Sequence, residues 1–181
     1  QASYNYKHKY LISGTMRADA STRFAPGYQW GYFPSISGAW VISEEPFMKD
    51  VEWISQLKLR AAIGMAGNNR IDADLYRELY AINSTGGPGF GEVTSLGEQY
   101  YANNSGDQFY NHEIKWETTI TRNLAADISL FNGRLTITPE FYWNTTRDLL
   151  YKSNLLQVGY TSQMQNIGQV TNKGIELSIS G

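Results

Sequence analysis

The sequence predicts an all-β protein, an antiparallel up-and-down transmembrane β-barrel segment of about six strands, and three observations carry that prediction. Apolar and polar residues alternate with period two along most of the chain. Aromatics make up 14% of the 181 residues, with 13 Tyr and 5 Trp set among abundant Gly, Asn, Ser and Thr. Membrane barrels have this composition because lumen-facing polar residues dilute the lipid-facing ones. Short turns and long polar loops also alternate between the strands, as they do at the two ends of an outer-membrane barrel.

The first predicted strand is 4–18, with Tyr4, Tyr6, His8, Tyr10, Ile12 and Met16 on one face and Asn5, Lys7, Lys9, Ser13 and Arg17 on the other. The second, 29–43, places Trp30, Tyr32, Pro34, Ile36 and Trp40 together. The third, 55–66, sets Leu57, Leu59, Ile63 and Met65 opposite Lys58 and Arg60. In 114–131, Leu124, Ala126, Ile128 and Leu130 oppose Thr119, Asn123 and Asp127. The fifth, 134–150, alternates most cleanly, Leu135, Ile137, Pro139, Phe141 and Trp143 opposing Thr136, Thr138, Glu140, Tyr142 and Asn144. The last is 166–180, with Ile175, Leu177 and Ile179 against Glu176 and Ser178. Asn132-Gly133 predicts a type I′ hairpin between the fourth and fifth strands. Pro46 and the spacing of Phe47, Val51 and Ile54 predict one short helix over 44–55. The remaining connections, 19–28, 67–113 and 151–165, read as loops. On the barrel reading the short turns are periplasmic and the first strand runs outward.

Depth arithmetic fits the same picture. A strand tilted by about 40° climbs roughly 2.5 Å per residue, so Trp30 and Trp40 lie about 25 Å apart, the height of the apolar band between aromatic girdles. Trp30, Tyr32 and Trp143 then belong to the outer girdle and Trp40 to the inner one. Arg122 ends the apolar stripe of its strand at nearly the height of Trp143, where a cation can meet anionic lipid headgroups. Pro34 and Pro139 remove backbone donors inside lipid, which predicts a bulge or a break in the ladder beside each.

Several function classes are disfavoured. A net charge of −2 gives no electrostatic basis for nucleic-acid binding. Without cysteine there is neither a disulfide framework nor a cysteine metal site. No nucleophile elbow, phosphate loop, dinucleotide fingerprint or zinc spacing occurs, so no enzyme, cofactor or metal is expected. His8 and His112 are isolated, the first an interfacial residue low on its strand and the second a solvated loop residue. Glu44-Glu45 reads as a turn and helix start. Two rival readings remain, a soluble carbohydrate-binding sandwich and a passive porin or adhesin barrel.

Four blocks resemble a known family. "YLISGTMRADASTRFAPGYQWGYFPSISGAWVISEEPFMK" (10–49), "WISQLKLRAAIGMAGNN" (53–69), "IKWETTITRNLAADISLFNGRLTITPEFYWNTTRDLLY" (114–151) and "NIGQVTNKGIELSI" (166–179) are similar, in order, to SusC/RagA-type TonB-dependent outer-membrane transporters of Bacteroidetes. They cover nearly everything except 67–113; Ala20 stands where that family usually has Gly, and Arg122 where it commonly has a neutral residue. The resemblance implies that the chain is an internal piece of a 22-stranded barrel closed by an N-terminal plug that this chain lacks. It also implies TonB-driven import of oligosaccharides or peptides across the outer membrane, contact with the TonB complex through the plug, and a SusD-like lipoprotein as partner.

Candidate ligand contacts lie in the outer connections. In "ADASTRFAPG" (18–27), Asp19 and Ser21 suit turn capping, while Arg23 suits a rim contact. Asn68 and Asn69 follow the third strand, at the start of the 67–113 connection. Tyr100, Tyr101, Phe109 and Tyr110 carry rings that can stack on sugar faces beside amides and carboxylates that bond hydroxyls. Arg17, Lys58, Arg60, Asp127, Glu140 and Glu176 line the polar face, either along a solute path or paired with one another or with the plug.

Overall fold

The computed structural model describes residues 1–78, 80–83, 100–103, 108–155 and 160–181, with 80–83 and 100–103 given by their backbone alone. The strands are β1 (Ala2–Tyr6), β2 (Tyr10–Ala20), β3 (Trp30–Val41), β4 (Ile54–Asn68), β5 (Tyr80–Asn83), β6 (Tyr100–Asn103), β7 (Gln108–Phe109), β8 (Glu117–Leu130), β9 (Leu135–Arg147), β10 (Leu150–Asn154), β11 (Ser162–Asn166) and β12 (Gln169–Ser180). A seven-stranded sheet runs β1-β2-β3-β4-β8-β9-β12, with every pairing antiparallel. Consecutive spanning strands are neighbours, as in an up-and-down barrel wall.

Three local readings need correction. Residues 4–18 are not one strand, because Lys7 and His8 adopt φ +51 and +58 and Lys9 N donates to Tyr6 O at 3.0 Å, folding β1 back on β2. The tight turn returns Tyr10 opposite Tyr6 on the same face, so the alternation passes through it unbroken. His8 therefore sits in the turn, where its N–H donates to Asn5 Oδ1 at 3.0 Å. The helix over 44–55 is instead two 3₁₀ turns, Ile42–Glu44 and Pro46–Met48. Glu45 precedes a proline and is extended (φ −76, ψ 148), which splits the segment before an α-helix can start. The outer connections also carry strands, β10-β11-β7 and β5-β6 forming two small sheets.

The hairpin at Asn132-Gly133 has φ +58 and +81, the signs a type I′ turn requires, and Arg134 N donates to Phe131 O at 3.3 Å. A ladder breaks beside each proline. Pairing of β3 with β4 ends at Ser35↔Gly64, one residue from Pro34. Pairing of β8 with β9 skips Ala126 and Asp127, opposite Pro139 and Thr138, and resumes at Ile128↔Ile137. Proline has no N–H to donate, so a missing rung is the expected response.

The sheet has one polar and one apolar face. Trp30, Ile36, Ile63, Leu124, Phe141 and Ile175 project from the apolar face and are exposed, Ile175 at 77%. Burial concentrates where the outer connections fold over the sheet: Phe24, Ile71 and Ile114 form the core, with Leu75, Tyr76, Trp116, Leu150 and Met164 packed around them.

Candidate functional site

The polar face is cross-linked from strand to strand. Arg60 on β4 makes a two-pronged pair with Asp127 on β8, Nε to Oδ2 at 2.8 Å and Nη2 to Oδ1 at 2.9 Å. Asn123 Nδ2 donates to Glu140 Oε1 at 2.9 Å. Hydroxyl pairs join Ser13 to Ser37, Thr119 to Thr146 and Ser129 to Thr136. Alternation brings these groups together, since directly opposed residues share a face. The face encloses a hollow of about 530 Å³ lined by Ser13, Ser37, Lys58, Arg60, Asn123 and Glu140. Hydroxyls, an amide and both signs of charge give it the chemistry to bond polar solutes.

At the loop end, three of the expected contact residues hold the wall's own loops. Arg23 Nη1 donates to the backbone oxygens of Ile71 (2.6 Å) and Asn69 (3.3 Å). Ser21 Oγ accepts from Arg23 N and from Asn69 Nδ2. Asn68 Nδ2 donates to Glu117 Oε1, and the second oxygen of Glu117 accepts from Leu150 N. Asp19 forms an ion pair with Arg17 at 2.7 Å and takes no part in this network.

Phe109 and Tyr110 sit elsewhere, in an aromatic cluster with Tyr160 and His112. Phe109 lies 4.6 Å from Tyr110 and 4.8 Å from Tyr160 between ring centroids, and Tyr110 lies 4.8 Å from His112. Gln163 Nε2 donates to Tyr110 O, fixing the segment against β11. Tyr100 and Tyr101 lie on β6, whose backbone pairs with β5; their side chains lie outside the described residues. Arg23, Asn68 and Asn69 thus belong to one set of loop contacts and Phe109 and Tyr110 to another.

Trp30 and Tyr32 stand exposed on the apolar face at the loop end of β3, and Trp143 stands on the same face of β9. Trp40 lies at the turn end, where it stacks on Tyr10 at 6.3 Å and 13°. Beneath it, Glu45 receives three donors: Lys9 Nζ at 3.0 Å, Tyr10 Oη at 2.7 Å and Trp40 Nε1 at 3.2 Å. The Tyr10 hydroxyl, then Lys9, hold the Glu45 carboxyl below the usual carboxylate range. Glu45 therefore closes the turn through its side chain rather than by starting a helix.

An extended antiparallel wall with one apolar and one hydrated face suits a large barrel, and comparison with known proteins decides which. A family model described as "TonB dependent receptor-like, beta-barrel" matches residues 1–181. The chain belongs to this TonB-dependent receptor barrel family. Among curated TonB-dependent receptors, P39 of Formosa agariphila is 40% identical over 98% of the chain, and SusC of Bacteroides thetaiotaomicron is 39% identical over 98%. The chain spans 16% and 17% of those two proteins. The RagAB peptide importer in its open-open state superposes with a TM-score of 0.82 at 26% identity, over 98% of this chain and 18% of that one. The siderophore receptor PirA of Pseudomonas aeruginosa, at a TM-score of 0.57 and 15% identity, shares the fold.

TonB-dependent receptors are outer-membrane β-barrel proteins and not enzymes, so the apolar face of this receptor segment meets lipid and the polar face meets the lumen. Sequence reasoning missed the role of Glu117 in joining Asn68 to β10, the aim of Glu45, and the place of Tyr160 among the rings. The side-chain reach of Glu45 and Glu117 spans distant strands, which local pattern does not encode. Tyr160 lay in a connection read as an unstructured loop.

Proposed function

We propose that this segment forms part of the wall of a 22-stranded transporter, plugged by an N-terminal domain, that imports oligosaccharides across the outer membrane. Energy comes from the TonB complex acting on the plug, and a SusD-like lipoprotein covers the outer mouth. The observation that carries this reading is the 39% identity to SusC over 98% of the chain. The hydrated polar face around Arg60, Asn123 and Glu140 lines the solute path. The Phe109 and Tyr110 rings, backed by the buried Tyr160, offer faces for stacking on sugars, and Arg23, Asn68 and Asn69 hold the rim loops in place. Trp30, Tyr32 and Trp143 occupy the outer aromatic girdle and Trp40 the inner one, so the tight turns face the periplasm.

Uptake of labelled oligosaccharides and of labelled peptides by cells expressing the full-length protein, with and without TonB, tests the proposal. Oligosaccharide uptake that is lost without TonB supports it. TonB-independent uptake overturns the active mechanism, and uptake of peptides alone overturns the substrate class.

A further inference from the structure

The lipid-facing side of the wall carries cations where its apolar stripe ends. Arg122 on β8 and Lys173 on β12 flank Trp143 on β9: Lys173 is its register partner, and the Arg122 guanidinium lies 5.3 Å from the indole centroid. Arg122 Nη1 also donates to Thr145 Oγ1 at 3.4 Å, which fixes the guanidinium over the ring. Arg147 lies on the same face, further toward the loop end. Among the described residues, none of these three cations forms an ion pair. The carboxylates of these three strands, Glu117 and Asp127 on β8, Glu140 on β9 and Glu176 on β12, all alternate onto the polar face.

Next to Arg122 the apolar face is grooved. Ile12, Ile36 and Ile63 wall a hollow of about 450 Å³ over Gly38 and Ala61, and Arg122 closes one end of it. The two small residues leave room for a chain of methylenes to lie against the backbone. Counting up from Leu130 at the hairpin, Arg122 lies at about 20 Å, near the outer limit of an apolar band about 25 Å tall. A cation at that height meets headgroups, and one facing hydrocarbon is costly unless an anion reaches it.

We propose that Arg122, Trp143 and Lys173, with the groove beside Arg122, form a binding site for a phosphate-bearing anionic lipid of the outer leaflet. The phosphate is held between the guanidinium and the ammonium at the indole edge, and an acyl chain lies in the groove between Ile12, Ile36 and Ile63. Arg supplies two parallel donors to phosphate oxygens, and Lys supplies a point charge. The opposite charge of the headgroup and the coincidence of cations with the end of the apolar stripe select such a lipid over a zwitterionic one. The site is independent of what the barrel imports.

The test uses the full-length transporter, delipidated in detergent and titrated with lipid A, with phosphatidylcholine or with inorganic phosphate, while bound lipid is counted by native mass spectrometry. The wild type should retain lipid A, and R122Q/K173Q should bind it about tenfold or more weakly, as the loss of two interfacial cations implies. R122K should retain most of the binding, which separates loss of charge from loss of fold. Equal retention of lipid A by the double variant, or equal binding of phosphatidylcholine by the wild type, would overturn the proposal. Full displacement of lipid A by inorganic phosphate would also overturn it, because the groove would then contribute nothing.

Discussion

The Phe33 ring lies so close over Gly67 that a Cβ on that glycine would stand 2.0 Å from Phe33 Cζ. Gly31 is overlaid by the same ring, and Trp116 packs edge-on against Phe33 with ring centroids 5.4 Å apart. The contact occupies the stretch beyond Ser35↔Gly64, where β3 and β4 no longer pair. A buried aromatic thus fills the space between two strands that Pro34 has released. Glycines on both strands make room for it.

Alanine at Gly67 should therefore destabilise the barrel by about 1–3 kcal/mol through overpacking, read as a lower unfolding midpoint of the full-length protein. The double variant G67A/F33A should cost less than the sum of its single changes, because removal of the ring removes the clash.

Pro139 makes a separate prediction. Alanine there restores a donor opposite Ala126, on the side where the β8–β9 ladder is interrupted. Amide exchange at position 139 should be slow in P139A, with overall stability unchanged or raised. Rapid exchange there would show that the gap has a cause other than the missing N–H.

Glu45 links stability to pH. Its carboxyl is held low in the folded state, first by the Tyr10 hydroxyl and then by Lys9. Such a group contributes stability above its unfolded value and loses that contribution as pH falls through its folded value. The advantage of wild type over E45Q should be constant at neutral pH and shrink below about pH 4.5, which unfolding midpoints across pH 3–7 measure directly.

The Arg60–Asp127 pair is well aligned, yet its side chains remain 41% and 29% exposed. Screening by solvent limits its value, so D127N should cost no more than about 1 kcal/mol and leave uptake nearly unchanged. A large loss of uptake with normal stability would show that Asp127 bonds the solute directly rather than only holding Arg60.

The spanning strands were legible in the sequence because one face had to be apolar and the other hydrated, which writes a period of two into each strand. The turn at Asn132-Gly133 also fixed a register, which brings Arg122 opposite Trp143 although the β8–β9 ladder skips that rung. The hairpin at Lys7-His8 was hidden because its three-residue loop, Lys7 to Lys9, keeps Tyr6 and Tyr10 in phase and its residues are not the usual Asn-Gly. The helix reading failed at one bond, Glu45-Pro46, whose preference for an extended first residue outweighs apolar spacing. The binding residues were least legible. Arg23 looked available for a ligand, but its donors go to backbone oxygens of a segment more than forty residues away.

A cysteine scan along β4 in the full-length transporter tests the two-faced wall most directly, since these 181 residues contain no native cysteine. Cysteines at Lys58, Ala62 and Gly64 should react with a water-soluble maleimide in intact membranes, while those at Leu59, Ala61 and Ile63 should be protected until detergent is added. Equal labelling of both sets, or labelling of Leu59, Ala61 and Ile63 alone, would contradict a barrel wall with lipid on one side and a hydrated lumen on the other.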